Sequence, residues 1–102
     1  MGKFVVVYKG GAMAESPETQ EAIMGKWMAW FGSLGPAVTD FGNPFGASMS
    51  LEADGAVGDA STSLTGYTIV EAQSLQHAGE LVTSCPVFEA GGSVEVFEAL
   101  AM

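Results

Sequence analysis

The alternation of apolar and polar residues divides the chain into strand-like and helix-like segments. Residues 4–8 (F-V-V-V-Y) form an apolar run without polar alternation, which predicts a strand that is covered on both faces. Apolar residues then recur at helical spacing from residue 17 to residue 34, after a capping serine and a proline suited to the first helical position. Gly35 and Pro36 mark the helix end, because proline cannot continue a helix. Residues 37–39 are predicted to form the next strand.

The second half of the chain repeats strand, helix and strand after a hairpin. Residues 47–53 alternate as a strand, and Asp54-Gly55 is a strong hairpin turn that leads into a short return strand at 56–57. Residues 66–72 are the second strongly apolar strand, Ser74 caps a helix that ends before Pro86, and residues 93–98 form the last strand. With the hairpin treated as an insertion, this order is the β-α-β-β-α-β pattern of ferredoxin-like proteins. We therefore predict a single α+β domain over residues 1–102.

The loop at residues 41–46 (F-G-N-P-F-G) is expected to be ordered, because a flexible linker would not carry two phenylalanines. Pro44 fixes one backbone dihedral, whereas Gly42 and Gly46 allow conformations that other residues avoid. A positive φ at Gly42 would make that position sensitive to substitution.

Two helices can cover only one face of the predicted four-stranded sheet. The first strand is nevertheless apolar on both faces, and Thr68, Val70 and Phe97 are assigned to the side away from the helices. An apolar face of this size is rarely left in water. The economical cover is a second copy of the same sheet, which predicts a symmetric homodimer whose two sheets enclose a cavity.

The charge balance narrows the classes of partner. Twelve acidic residues against three lysines and no arginine give a net charge of −9, which argues against nucleic acid and against anionic membrane surfaces as partners. The chain contains no apolar run near the roughly 20 residues that span a bilayer and no signal-peptide segment, so a cytoplasmic protein is expected. A single cysteine excludes an internal disulfide and a cysteine-built metal site.

Glu95 is the first candidate for chemistry. It alternates onto the face of Phe97, while Val94 and Val96 must meet the helices. A carboxylate enclosed in the dimer would need a partner or a proton, and it would serve as an acid or a base. Pairing with a lysine would instead mark Glu95 as structural, and a position at the rim would leave it hydrated.

The remaining candidates surround the segment that joins the first helix to the loop. Asp40 is the second candidate catalytic residue, and Asn43 could point into the same cleft, although turns also favour both residue types. Trp30 and Phe45 could wall an apolar ligand pocket, although a tryptophan on an apolar helix face more often belongs to the core. The candidate ligand-binding residues are therefore Trp30, Asn43 and Phe45.

The only histidine and the only cysteine are not candidates. His77 lies about 120° round its helix from the apolar stripe by the helical period, so we expect a solvated surface residue. Without a second histidine, no metal site is expected. Cys85 follows the end of the same helix, where the helix dipole disfavours a thiolate, so we expect it to pack in the core.

A series of short motifs resembles the YCII-related (YciI-like) domain family, a branch of the dimeric α/β-barrel superfamily close to the DGPF proteins. These motifs are, in order, L-G-P-A-V, G-N-P-F-G, A-D-G-A-V, T-G-Y-T-I-V-E-A, S-L-Q-H-A, C-P and G-G-S-V-E-V. The resemblance implies a ferredoxin-like protomer, a homodimer and a cleft between sheet and helices. The better-studied branch is thought to use a histidine on the first helix and an aspartate before the proline that ends the second. Here Trp27 or Trp30 lies near the first position and Ser84-Cys85 precedes Pro86, so no catalytic residue is carried over.

These observations predict a homodimeric protein with a mostly apolar pocket for a small organic molecule and no cofactor. Carboxylate acid–base chemistry, such as isomerisation or lactone chemistry, is the activity that suits these residues best. The alternative is a ligand-binding or protein-interaction module without catalysis.

Overall fold

The regular elements follow one another in the predicted order. A computed structural model describes residues 2–10, 17–58 and 64–100. Its helices are α1 (Pro17–Leu34) and α2 (Leu75–Leu81), with single 3-10 turns at Gly35–Ala37 and Pro86–Phe88. Its strands are β1 (Gly2–Lys9), β2 (Val38–Asp40), β3 (Ser50–Leu51), β4 (Val57–Gly58), β5 (Leu64–Ala72) and β6 (Ser93–Ala99).

The main sheet has four strands in the order β2-β5-β1-β6, and every neighbouring pair is antiparallel. With the β3–β4 hairpin set aside, this is the strand order of a ferredoxin-like β-α-β-β-α-β protein. The predicted α+β fold class is therefore confirmed. None of the described helices is long and apolar enough to cross a membrane.

The core lies on one face of this sheet, beneath the helices. Alternate residues of β1 point into it, and the antiparallel register brings alternate residues of β5 beside them. The two helices and the second 3-10 turn complete the layer. The buried apolar residues are Phe4, Val6, Tyr8, Trp30, Val70, Ala72, Ala78, Val82, Cys85 and Val87.

The assignment of Thr68 and Val70 to the far side of the sheet is wrong. Val70 pairs with Phe4 and Thr68 pairs with Val6, so both lie on the helix-facing side, and both are fully buried. Phe97 pairs with Val5 on the opposite face, as predicted. The residues of β5 that accompany Phe97 there are Tyr67, Ile69 and Glu71.

Several element boundaries differ from the predicted ones. The strand predicted at 37–39 starts one residue later, because the chain first completes a 3-10 turn after α1. Helix α2 ends at Leu81, before the predicted stop at Cys85-Pro86. The strand predicted at 47–53 is reduced to Ser50–Leu51, because in the described residues β3 has only β4 as a neighbour.

The loop at 41–46 is ordered, as predicted. Gly42 has a φ of +75°, and Gly35 at the end of α1 has a φ of +58°. Pro44 forms a bridge to Gly66 of β5, and the Phe45 backbone N–H donates a 2.8 Å hydrogen bond to the Thr65 carbonyl. The loop therefore continues the edge of the sheet beyond β2.

Candidate functional site

The side of the main sheet away from the helices has Phe45 of the loop stacked on Tyr67, and its central apolar residues are only half-buried. We call this surface the open face. The register places Val7 between Tyr67 and Glu95, and in the next row it places Val5 between Ile69 and Phe97. Phe97 lies at the β6 end of this second, apolar row and is 54% exposed. The open face consists of Lys3, Val5, Val7, Lys9, Tyr67, Ile69, Glu71, Glu95 and Phe97.

Glu95 lies on the open face, as its alternation with Val94 and Val96 predicted. Those two valines pack against the core. The Glu95 Oε1 atom is 3.5 Å from Lys9 Nζ, and the two side chains are 48% and 37% exposed. Pairs with this much exposure contribute little to stability. In the protomer, Glu95 thus has the lysine partner that a structural role would require.

An aromatic pair flanks the same row of the open face. The rings of Phe45 and Tyr67 stack with their centroids 5.8 Å apart and an angle of 20° between their planes. Tyr67 is the cross-strand neighbour of Val7, and the hydrogen bond from the Phe45 backbone holds the loop against β5. The row therefore runs from two aromatic rings, across Val7, to the Lys9–Glu95 ion pair.

Trp30 lies on the other side of the sheet, in the core beneath α1. It is 5% exposed and contacts Trp27, Phe31 and Tyr8, with ring centroids 5.7, 5.2 and 6.5 Å away. Among the described residues, its buried Nε1 has no hydrogen-bond acceptor. Since Phe45 stacks on Tyr67 of the open face, the structure does not bring Trp30 and Phe45 into one pocket.

Asp40 and Asn43 have turn and backbone roles. The Asp40 Oδ1 atom accepts a 2.8 Å hydrogen bond from the Gly42 N–H. The carbonyl of Asn43 accepts a 3.4 Å hydrogen bond from the Tyr67 N–H, and both side chains are exposed. These contacts shape the loop that carries Phe45, so these two residues position the aromatic pair.

A buried series of hydrogen bonds beneath the sheet was not predicted from the sequence. The Thr68 hydroxyl donates to the Phe41 carbonyl at 2.9 Å and lies 2.6 Å from the Tyr8 hydroxyl. Burial raises the pKa of Tyr8, and the hydrogen bond to Thr68 offsets part of that effect. The available signal was Thr68 itself, a polar residue inside an otherwise apolar strand.

Cys85 lies in the core, as predicted, whereas His77 is half-buried and hydrogen-bonded and is not the fully solvated residue that was expected. The His77 Nδ1 atom accepts a 3.1 Å hydrogen bond from the Gln73 N–H, and the His77 N–H donates to the Ser74 hydroxyl at 3.1 Å. The imidazole thus helps to cap α2 at the surface. Cys85 is 2% exposed, and burial raises its pKa from 9.0 to about 11. A thiol with such a pKa is a poor nucleophile at neutral pH.

The buried thiol predicts a loss of stability at alkaline pH. Between about pH 9 and pH 11 the thiol keeps its proton in the folded protein but loses it in the unfolded chain. The stabilisation that the buried thiol provides is therefore complete below pH 9 and is lost over that range. We expect the free energy of unfolding to fall over that range by about 2 kcal/mol from Cys85 alone. Urea titrations at several pH values would measure this slope. The slope should be shallower in Cys85→Ala, and an equal slope in both proteins would contradict the prediction.

No group of three or more His, Cys, Asp or Glu side chains in the described residues could hold a metal ion. A shallow surface pocket lined by Glu18, Gln20, Glu21 and Met24 lies at the start of α1. It contains none of the candidate residues.

Comparison with known proteins shows a likeness in structure only. No family model matches the sequence, and no curated protein matches it. The chain is similar to the solved structure of 5-chloro-2-hydroxyhydroquinone dehydrochlorinase (TftG) from Burkholderia phenoliruptrix, a complex with 2,5-dihydroxybenzoquinone. The TM-score is 0.57 and the identity 20%, over 98% of this chain and 95% of that chain. This likeness shows the fold, which is the ferredoxin-like α+β arrangement described above.

Proposed function

We propose that two copies of this chain form a homodimer of the dimeric α/β-barrel type, packed through their open faces, and that the dimer binds a small organic molecule. The observation that carries this proposal is the incompletely covered apolar face of the main sheet. The smallest dimension of the protomer is 19 Å, which matches one sheet and one helical layer about 10 Å apart. A second sheet on the open face would remove Val5, Val7, Ile69 and Phe97 from water.

The ligand site of this proposal lies at the row that joins the aromatic pair to the ion pair. Phe45 and Tyr67 offer an aromatic surface for a planar molecule, while Lys9 and Glu95 offer a hydrogen-bond donor and an acceptor. A few polar groups within an apolar lining is the usual composition of small-molecule sites. A structurally similar protein that is solved with a planar quinone supports this choice of ligand class.

Within this site, Glu95 is the residue that we assign to acid–base chemistry. Because Lys9 pairs with Glu95 in the protomer, this assignment requires a bound molecule that takes over the ammonium group and leaves the carboxylate to act as a base. A carboxylate released from the ion pair in this way can accept a proton from a bound hydroxyl group and return it at another atom. Asp40 is not part of this assignment, because its Oδ1 atom already accepts the Gly42 N–H.

A binding module without catalysis is the second candidate. It is favoured by the environments of His77 and Cys85. The His77 imidazole accepts a backbone hydrogen bond and the Cys85 thiol is buried, so neither side chain lies on the open face. In that case the dimer would bind the same class of molecule, and the Lys9–Glu95 pair would only orient it.

Two measurements test the proposal. Light scattering at micromolar concentration should report twice the chain mass of 10.5 kDa. Calorimetric titration with 2,5-dihydroxybenzoquinone should show saturable binding that weakens about 3- to 10-fold in Tyr67→Ala, the effect expected for one lost aromatic contact. Phe88→Ala is the control, since Phe88 is an aromatic residue with an exposed side chain that lies in the helical layer.

The two measurements separate the parts of the proposal. A stable monomer would overturn the dimer and the enclosed site together. A dimer that shows no heat with the quinone would overturn the ligand class. Equal binding by wild type and Glu95→Gln, with no turnover of the quinone by either protein, would favour the non-catalytic module.

A further inference from the structure

The β3–β4 hairpin forms a small sheet of its own, and we call residues 49–58 the arm. In the described residues its two strands pair only with each other. The tip is well defined, because the Glu52 N–H donates to the Ala56 carbonyl at 2.9 Å and the Ala56 N–H donates to Asp54 Oδ1 at 2.9 Å. A two-stranded hairpin is at best marginally stable alone in water. The arm therefore needs a surface to pack against.

The arm carries apolar side chains that its own protomer leaves in water. Met49 is 66% exposed, Leu51 is 69% exposed and Val57 is 64% exposed. Single exposed apolar residues are ordinary, but three of them on ten residues form a patch. The protomer has a radius of gyration of 15.1 Å, whereas a compact chain of this length is expected near 13 Å. The protomer is thus less compact than expected for its length, and the arm exposes apolar side chains.

The size of the open face indicates what packs against the arm. Strand β1 has eight residues, and four strands about 4.8 Å apart with a rise of about 3.3 Å per residue cover at most about 500 Å². A stable interface of standard size buries about 800 Å² on each partner. A flat footprint is smaller than the accessible surface that its side chains present, so the open face alone would give an interface of about standard size, and the apolar arm would enlarge it.

The distribution of charge favours the same occupant. The arm contains two acidic residues, Glu52 and Asp54, and no lysine. Two of the three lysines, Lys3 and Lys9, lie on the open face, where Glu71 and Glu95 balance their charge, and Lys3 forms no ion pair with any described residue. The open face of a second copy is thus an apolar surface without net charge, which repels an acidic, apolar arm less than the rest of a chain with a net charge of −9 would.

We infer that the arm docks on the second copy of the chain, at the margin of the interface between the two open faces. The inference rests on the proposed homodimer and extends its interface. Each protomer contributes one arm, so the contact occurs twice in a symmetric dimer.

The test compares two leucines that are both exposed in the protomer. Leu51→Glu places a charge on the arm, and the control Leu75→Glu places the same charge at the start of α2, where the leucine is 54% exposed. In sedimentation dilution series, the dimer dissociation constant should rise about 10- to 100-fold in Leu51→Glu, as expected from the loss of a buried leucine contact. It should change less than about threefold in Leu75→Glu.

A second measurement reports on the arm directly. The amide hydrogen of Glu52 should exchange more slowly in wild-type protein well above the dissociation constant than well below it, because docking protects the hairpin. A wild-type dimer with unchanged affinity in Leu51→Glu, or with concentration-independent exchange at Glu52, would overturn the docking of the arm and leave the dimer intact. A wild-type monomer at every concentration would instead overturn the dimer itself.

Discussion

Replacement of Gly42 by alanine is expected to destabilise the protein more than any other single-methyl change in the loop. A Cβ atom at this position would lie 1.7 Å from the Tyr67 carbonyl oxygen and 2.6 Å from its carbon. Both are backbone atoms of β5, so neither can turn aside as a side chain would. The φ of +75° adds the cost of a left-handed conformation, about 1–2 kcal/mol. Together these effects predict a loss of about 3–5 kcal/mol in the free energy of unfolding.

Gly46→Ala provides a matched control four residues away. Its Cβ would meet no atom within 4 Å, and Gly46 does not have a positive φ. We therefore expect a change within about 1 kcal/mol. Urea unfolding followed by circular dichroism would measure both variants. Equal losses in the free energy of unfolding for the two variants would contradict the close approach of Gly42 to the backbone of β5.

Phe97→Glu is expected to convert the proposed dimer into a folded monomer. Phe97 lies in an apolar row of the open face, so a second sheet would bury the new carboxylate beside Val5 without a cation to pair it. The substitution occurs twice in a symmetric dimer, and we expect the dissociation constant to rise at least about 100-fold. The protomer should remain folded, because the ring is already 54% exposed there.

Phe88→Glu is the control for this change. Phe88 is 45% exposed and also has a glutamate as its neighbour, but it lies in the 3-10 turn of the helical layer. Light scattering at the same concentration should report a dimer for Phe88→Glu and a monomer for Phe97→Glu. A dimer in both variants would show that the chain associates through another surface.

The sequence predicted the element order because the strongest signals are local. Apolar runs mark β1 and β5, and Gly35-Pro36 marks the end of α1. The strict alternation in β6 also placed Glu95 and Phe97 on one face and the neighbouring valines on the other. Such a pattern survives folding, because a strand with one apolar and one mixed face has only one favourable orientation.

The same reasoning failed in β5 because its central residues are apolar on both faces. Thr68 is the only polar residue among Tyr67, Thr68, Ile69 and Val70, and its hydroxyl is satisfied within the core by Tyr8 and Phe41. Burial of a hydrogen-bonded threonine costs little free energy, so the polarity of Thr68 did not indicate which face of the sheet it occupies. Only the register with β1 determines which face is which.

The separation of Trp30 from Phe45 also lay beyond sequence reasoning. Both residues are aromatic and flank β2, but Trp30 lies in the core, whereas the loop that starts with Gly42 beside the Tyr67 backbone places Phe45 on the open face. The path of the loop depends on the contact of Gly42 with the Tyr67 backbone, which is 25 residues away in sequence. A local pattern carries no information about such a contact.

The position of β1 in the sheet has a consequence for synthesis on the ribosome. Among the described strands β1 is synthesised before the others, and its neighbour β5 begins about 55 residues later, while β6 begins only at Ser93. At about 5–20 residues per second, β1 waits roughly 3–10 s with both edges unpaired before the first neighbour emerges. An apolar strand with two open edges is prone to pair with other chains. The central strand of the finished protein is therefore the segment of the nascent chain most in need of protection by a chaperone.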